Sequence, residues 1–216
     1  MKNILHLIDS TGQAGAETVA LKIIKGLDRR GYRSHIILPD SGWLYREVKA
    51  IKGVNIEVIE TEKGFNIKLI RELLSYVRKE HIDLIHSHLF GAALYASIIG
   101  MMTKVAVVCT LHGTLDIEAN QRLIRTKRKI INLGSSRIVF VSDYLKRFFR
   151  KTIGFNDKKC EVVYNGIGIA DGAEEDRSET RKAHGFREND LVIGCVGNVK
   201  PAKGYDVFLR AAKLVV

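Results

Sequence analysis

Four stretches carry residue types able to do chemistry. Gly12-Gln13-Ala14-Gly15-Ala16-Glu17 sets two glycines ahead of a helical pattern. Glycines there let a phosphate or a sugar approach the backbone N–H groups of a helix N-terminus; the same residues also make a tight turn that needs no ligand. Ala14 stands where a G-x-G-x-x-G dinucleotide fingerprint has its middle glycine, and Pro39-Asp40 supplies an acid for a ribose, so a dehydrogenase reading rests on an incomplete fingerprint. His86-Ser87-His88 and Thr110-Leu111-His112-Gly113-Thr114 each close an apolar run. An HxH pair is able to bind metal, but the two imidazoles are expected on opposite faces of a strand with no third ligand beside them. His86 is then a polar histidine satisfied within the fold, and no metal site is expected. His112 has two readings: contact with substrate, or a cap on the loop that follows. Gly197-Asn198-Val199-Lys200-Pro201-Ala202-Lys203-Gly204 suits a diphosphate, with backbone donors plus a lysine point charge, or is a solvated basic loop.

Short β-branched runs alternate with helical patterns and must position these residues. Strands are expected at 4–8, 34–38, 54–59, 84–86, 105–111, 138–141 and 161–164, and helices at 16–30, 43–52, 67–79 and 144–153, with further helices filling the gaps. Continuous apolar strands joined by helices imply a parallel sheet covered on both faces. The fold class is α/β, a Rossmann-like doubly wound sheet, in which the strand ends that carry the histidines face the ligand crevice. The rhythm breaks after Asn165. A glycine-bearing, then acidic and polar stretch reads as a linker, and a strand at 191–196 with a helix from Tyr205 begins a second unit of the same kind. One strand and one helix cannot enclose a core, so a fragment of a longer protein, or an unusually short gene product, is expected.

Composition narrows the partners. The chain has 216 residues, 46% of them hydrophobic, and carries a net charge of +11, so it can bury a core and favours an anionic partner. From 117 to 160 there are twelve cations against three anions. An anionic membrane surface is one expected partner, through the helix at 144–153; the apolar stripe of that helix also fits an ordinary sheet-packing face. No nucleic-acid-binding signature is present, so nucleic acid is not expected. Cys109, Cys160 and Cys195 are far apart and odd in number, which argues against a disulfide framework or a zinc finger and for a reducing cytosol. The first residues lack the apolar length of a signal peptide.

Six motifs in order resemble the family 4 glycosyltransferases of the GT-B fold. Ala14-Gly15-Ala16-Glu17 is similar to the family's G-G-A-E turn. Asp83-Leu84-Ile85-His86-Ser87-His88 is similar to D-[IV]-[IV]-H-x-H, and Thr110-Leu111-His112-Gly113 to T-x-H-[GD]. Val141-Ser142 matches a V-S strand end, Tyr164-Asn165-Gly166-Ile167-Gly168 resembles P-N-G-[IV]-D, and Gly197-Asn198 through Lys203-Gly204 resembles G-R-x-x-x-x-K-G. The resemblance implies an acceptor-binding Rossmann-like domain over residues 1–170, and a linker with the start of a nucleotide-sugar-binding domain over 171–216. It implies transfer of a glycosyl group, with retention and without a metal or other cofactor, from a nucleotide-sugar donor to a glycan or lipid-linked acceptor in cell-envelope polysaccharide or glycolipid synthesis. The expected setting is cytoplasmic, peripheral on the inner membrane face.

The resemblance also assigns residues. His112 is the catalytic candidate. Gly12, Gly15, Ala16, Glu17, His88, Gly113 and Asn165 are set to bind substrate, and Gly197, Asn198 and Lys203 the donor diphosphate. Three departures stand out. Asn198 replaces the family's arginine, Gly168 replaces an aspartate, and no E-x7-E segment lies within the 216 residues. The chain by itself is therefore expected to be inactive. Two other classes remain open: a non-catalytic acceptor- or membrane-binding module, and a Rossmann nucleotide-dependent oxidoreductase.

Overall fold

The computed structural model describes residues 1–28, 30–60, 64–114, 123–167, 177–197, 199 and 201–215. The chain divides into two units, Met1–Gly166 and Ile167–Val216. In the first, the expected strands form as β1 (Asn3–Ile8), β2 (Arg33–Leu38), β3 (Asn55–Val58), β4 (Leu84–His88), β5 (Ala106–Leu111), β6 (Arg137–Phe140) and β7 (Cys160–Val162). All pairings are parallel, and the order is β3-β2-β1-β4-β5-β6-β7. A parallel ladder requires a crossover between successive strands. The crossovers include α1 (Gly15–Asp28), α2 (Trp43–Lys49), α3 (Ile67–Lys79), α4 (Phe90–Thr103), α5 (Ile124–Gly134) and α6 (Asp143–Thr152). The strand order reverses between β1 and β4, which fixes the crevice at their carboxyl ends. The fold is an α/β, Rossmann-like doubly wound sheet.

Alternation along the strands divides the core between the two faces. Leu5, Leu7, Ile85, Val107, Cys109, Leu111, Ile138 and Phe140 pack with α3 to α6 on one face. Ile8, Ile36 and Leu38 pack with Ala20, Leu21 and Ile24 of α1 and Leu44 and Val48 of α2 on the other. Helix α4 is apolar around most of its circumference and is buried along its length, as a helix covered on several sides must be. It meets α5 so closely that a Cβ at Gly134 would strike the backbone of Ser97. In α6, Ser142 caps the first turn by accepting from Leu145 N–H at 3.2 Å. Leu145, Phe149 and Ile153 are buried, and Phe149 lies against Phe140 and Phe155 at ring separations of 5.4 and 5.9 Å. The apolar stripe of 144–153 therefore belongs to the core and is not available to a membrane.

The second unit contains α7 (Arg177–Ala183), a 3-10 turn at Pro201–Lys203 and α8 (Tyr205–Val215). The strand expected at 191–196 is not formed. Leu191 is 87% and Val196 101% exposed. A parallel strand gets its hydrogen bonds from neighbouring strands, and among the described residues of this unit there are none.

Candidate functional site

The loop joining β1 to α1 is fastened from several sides. Ser10 Oγ donates to the buried Glu17 carboxylate, and Thr11 Oγ1 donates to Asp40. Asp40 also accepts from Gly42 N–H at 2.8 Å, and Leu44 N–H donates to Thr11 O at 3.0 Å. Asp9 accepts from Ala92 N–H at 3.1 Å, and Gly91 leaves no space for a Cβ against that carboxylate. The end of β1 is thus tied to the starts of α2 and α4. Gly12 and Gly15 are exposed, with open space where a side chain would be, while Ala16 and Glu17 are buried. The first-turn N–H groups of a helix lack intrahelical acceptors, so the start of α1 offers donors toward an open space. Glu17 faces inward to Ser10, and its second oxygen is buried without a hydrogen-bond partner. Its place in the fold is to hold the loop.

Between β4 and α4, Leu89 adopts φ 73°, a conformation that costs a non-glycine residue on the order of 1–3 kcal/mol and occurs where the surroundings enforce it. Leu89 N–H donates to Thr110 O at 3.1 Å, which draws the end of β4 to β5. His88 and His112 consequently meet, with His88 Nδ1 and His112 Nε2 3.2 Å apart. His88 is wholly buried; His112 and Gly113 are half-buried at the carboxyl edge.

One expectation is corrected here. Residues two apart in a strand share a face, so His86 and His88 lie side by side, with ring centroids 4.3 Å apart. A third imidazole also stands beside them. His6 pairs with His86 across the β1–β4 ladder, and its ring is 5.6 Å from His86 and 6.0 Å from His88. His86 Nε2 is 2.8 Å from Thr110 Oγ1. Both nitrogens of His6 and Nε2 of His88 are buried without a hydrogen-bond partner. Burial pushes all four histidines down. His86 and His112 fall to about 4, and His6 and His88 well below their ordinary value, with neighbouring imidazoles adding to the shift for His6, His86 and His88. His112 is therefore neutral at physiological pH, able to share a hydrogen bond with a sugar or acceptor hydroxyl but not to hold a proton ready for transfer.

A cavity of about 630 Å³ opens beside this edge, at the ends of β1 and β2 and against α3, α4 and the start of α5. Its lining is mostly apolar and includes Ile8, Leu38, Phe65 and Tyr95, with Asp9 and Lys127 as charged members. Its size is that of a small-molecule site. Phe65 and Tyr95 stack at 6.0 Å. Asn66 accepts from Leu69 N–H at 3.0 Å to cap α3, and Tyr95 Oη accepts from Asn66 N–H at 3.0 Å. None of these lining residues was singled out by motif; a tyrosine within the apolar α4 was the available signal.

One assigned residue of the first unit is not brought to this crevice. Asn165 is exposed three residues beyond β7, two strands from β5. Gly197 and Lys203 lie in the second unit. Tyr205 Oη donates to Gly197 O at 2.7 Å, and the Lys203 stem runs beside Gly197, so those two are held together. Asn198 and Lys200 lie outside the described residues, as do Gly168 and Arg122.

The basic stretch is partly structural. Arg128 donates to Ile153 O at 3.1 Å, Lys146 to Cys160 O at 2.9 Å and Lys159 to Ser135 O at 2.7 Å. Arg137 pairs with Glu161 at 2.8 Å and Arg150 with Asp157 at 3.2 Å. Arg125, Lys129, Arg147, Lys151 and Lys158 are exposed and make no salt bridge among the described residues. No described helix is long and apolar enough to cross a membrane.

A doubly wound sheet with an open glycine turn, half-buried polar strand ends and a cavity at the point of strand reversal defines a ligand-binding Rossmann-like domain. The chain belongs to Glycosyltransferase Family 4, whose family model matches residues 14–170. It is 26% identical over 179 residues to the capsular polysaccharide biosynthesis glycosyltransferase CapH of Staphylococcus aureus, covering 79% of this chain and 48% of that protein. It is 24% identical over 166 residues to the UDP-Gal:alpha-D-GlcNAc-diphosphoundecaprenol alpha-1,3-galactosyltransferase of Escherichia coli, covering 70% and 42%. Among solved structures, Anabaena Alr3699/HepE in complex with UDP superposes with a TM-score of 0.82 at 23% identity, covering 98% of this chain and 57% of that one. The chain spans less than half the length of these two curated relatives.

Proposed function

We propose that the first unit is the acceptor-binding half of a retaining glycosyltransferase. The whole protein moves a sugar from a nucleotide-sugar donor to a glycan or lipid-linked acceptor in cell-envelope polysaccharide or glycolipid synthesis. The observation that carries this is the gathering of the Gly15 turn, His88 and His112 at one sheet edge beside the 630 Å³ cavity. The activities for which the two bacterial relatives are named support the substrate class.

In this reading the α1 N-terminus and Gly12, Gly15 and Gly113 admit the reacting sugar close to backbone donors. Neutral His112 orients a sugar or acceptor hydroxyl from its crevice side, while His88 holds its other nitrogen. Gly197 and Lys203, with Asn198, take the diphosphate, where a lysine offsets the charge that develops as it leaves. No metal takes part at the diphosphate. Asn165 lies at the junction and contacts substrate from there. The work is cytoplasmic, and the five uncommitted cations hold the protein peripherally at an anionic membrane face.

Thermal shift and turnover of the whole protein with UDP-, GDP- and ADP-sugars, with NAD(P) as a control, test this reading. Stabilisation by one sugar nucleotide, and release of its nucleoside diphosphate when acceptor is added, are expected. Stabilisation by NAD(P) with no response to any sugar nucleotide would replace the proposal with an oxidoreductase. The 216-residue chain alone is expected to show no turnover, because the described residues of its second unit leave Leu191, Ile193 and Val196 in solvent and form no strand on which a nucleotide pocket could be built.

A further inference from the structure

Three imidazoles share one sheet face, and His6 and His88 keep buried nitrogens without a partner, which requires an explanation, since buried polar atoms are nearly always partnered. His6, His86 and His88 each bring a ring nitrogen to within 4.8 Å of the other two. A point between three atoms so spaced is at most about 2.8 Å from each, against about 2.1 Å for a zinc–imidazole bond. Ring tilts of less than an ångström close that gap. His6 has both nitrogens buried and unpartnered, and His88 has Nε2 in the same condition.

We propose that His6, His86 and His88 form a binding site for a zinc-class divalent transition metal ion, set behind the crevice.

The chemistry of the donor set selects this class. Neutral imidazole suits zinc and its neighbours and leaves magnesium and calcium, which take oxygen ligands, unbound. Burial already holds the three rings in the neutral form a metal needs, so binding displaces few protons. The unligated nitrogens of His86 and His88 also have partners of the right kind, while that of His6 has none among the described residues. His86 Nε2 faces Thr110 Oγ1 at 2.8 Å, leaving Nδ1 for the ion. His88 Nδ1 faces His112 Nε2 at 3.2 Å, leaving its unpartnered Nε2. A metal-ligating histidine donates its other N–H to an outer partner, which fixes its tautomer. With metal on Nε2, His88 must carry its hydrogen on Nδ1 and donate to His112 Nε2. The hydrogen of His112 is thereby placed on Nδ1, so the ion sets the tautomer of a crevice residue that it does not touch. His86 is half-buried, which gives the ion an entry side, and water or hydroxide completes the tetrahedron.

The test uses the 216-residue chain, stripped with chelator and titrated with zinc chloride or cobalt chloride in the presence of excess magnesium. One zinc per chain, a rise of several degrees in unfolding midpoint, and the intense visible absorption of tetrahedral cobalt are expected. His6→Gln and His86→Gln should weaken zinc binding at least tenfold, while Cys195→Ser and His184→Gln, at exposed positions, should leave it unchanged. Zinc uptake below chain stoichiometry, or uptake that survives both histidine variants or is lost in Cys195→Ser, overturns the site. Should the histidine variants fail to fold, the wild-type cobalt spectrum decides alone. Only the weak absorption of six-coordinate cobalt, or none, overturns the proposal.

Discussion

His88 Nδ1 and His112 Nε2 lie 3.2 Å apart, so the last residue of β4 holds the first residue beyond β5. Parallel pairing sets His88 opposite Thr110, two residues before His112, which brings the two imidazoles within reach of each other. His88 is wholly buried and acts on the crevice only through His112. In the whole protein His88→Gln should lower kcat about tenfold, the scale of a lost orienting partner, while KM for donor changes less than twofold. Equal losses in kcat and in the midpoint of unfolding would make His88 a packing residue only.

Acid should destabilise the first unit. A histidine whose folded pKa lies below its unfolded value leaves the unfolded state binding more protons, so stability rises with pH between the two. The window runs from about 6.5 down to about 4 for His86 and His112, and further down for His6 and His88. Full stability is present above about 6.5, and each such histidine costs on the order of 1 kcal/mol per pH unit below it. Thermal unfolding of metal-free protein from pH 7.5 to 5 should show a falling midpoint, with a shallower fall in His86→Gln. A flat midpoint across that range would show that the histidines are not held neutral.

The Ser10–Glu17 hydrogen bond gives a stability prediction. Glu17 is 3% exposed and one of its oxygens has no hydrogen-bond partner. Ser10→Ala removes the partner of the other, which costs about 1–3 kcal/mol when a buried polar group is stranded. Urea denaturation should show a lower midpoint with an unchanged slope. An unaffected midpoint would mean that Glu17 turns outward, toward the crevice.

The proposed membrane attachment is electrostatic alone, since the apolar face of α6 is spent on the core. Each engaged cation contributes about 1 kcal/mol, within a screening length of about 8 Å at physiological salt. Flotation should show binding to anionic but not neutral vesicles, lost at high salt and in Arg147→Glu/Lys151→Glu. Arg150 is a poor choice for this test because it already pairs with Asp157. Indifference to anionic vesicles at low salt would leave these cations as a solvated face.

Most of this architecture was legible in residue order. Short apolar runs of three to seven residues between helical patterns imply covered parallel strands, and all seven in the first unit formed. The histidine cluster was not legible. His6 reads as one polar residue in an apolar strand, and its neighbours come from β4, which the sheet places beside β1 through a crossover that sequence order hides. The shared face of His86 and His88 follows from the two-residue period of a strand and was available. The segment 191–196 has strand composition but no strand among the described residues of its own unit to pair with. The cavity went unseen because it is assembled from the ends of two strands and parts of three helices.

The role of His112 is the most direct point of attack. In the whole protein, His112→Ala should cut the turnover of donor onto acceptor at least tenfold, the scale of one lost polar contact at a charge-developing centre. The residue is half-buried at the sheet edge and outside the hydrophobic core, so the variant should unfold within a few degrees of the parent. A steady-state transfer assay paired with a thermal melt reads both quantities on one preparation. A tenfold or greater loss with an intact melt is the result expected of a crevice residue that orients substrate, and turnover near that of the parent would contradict it.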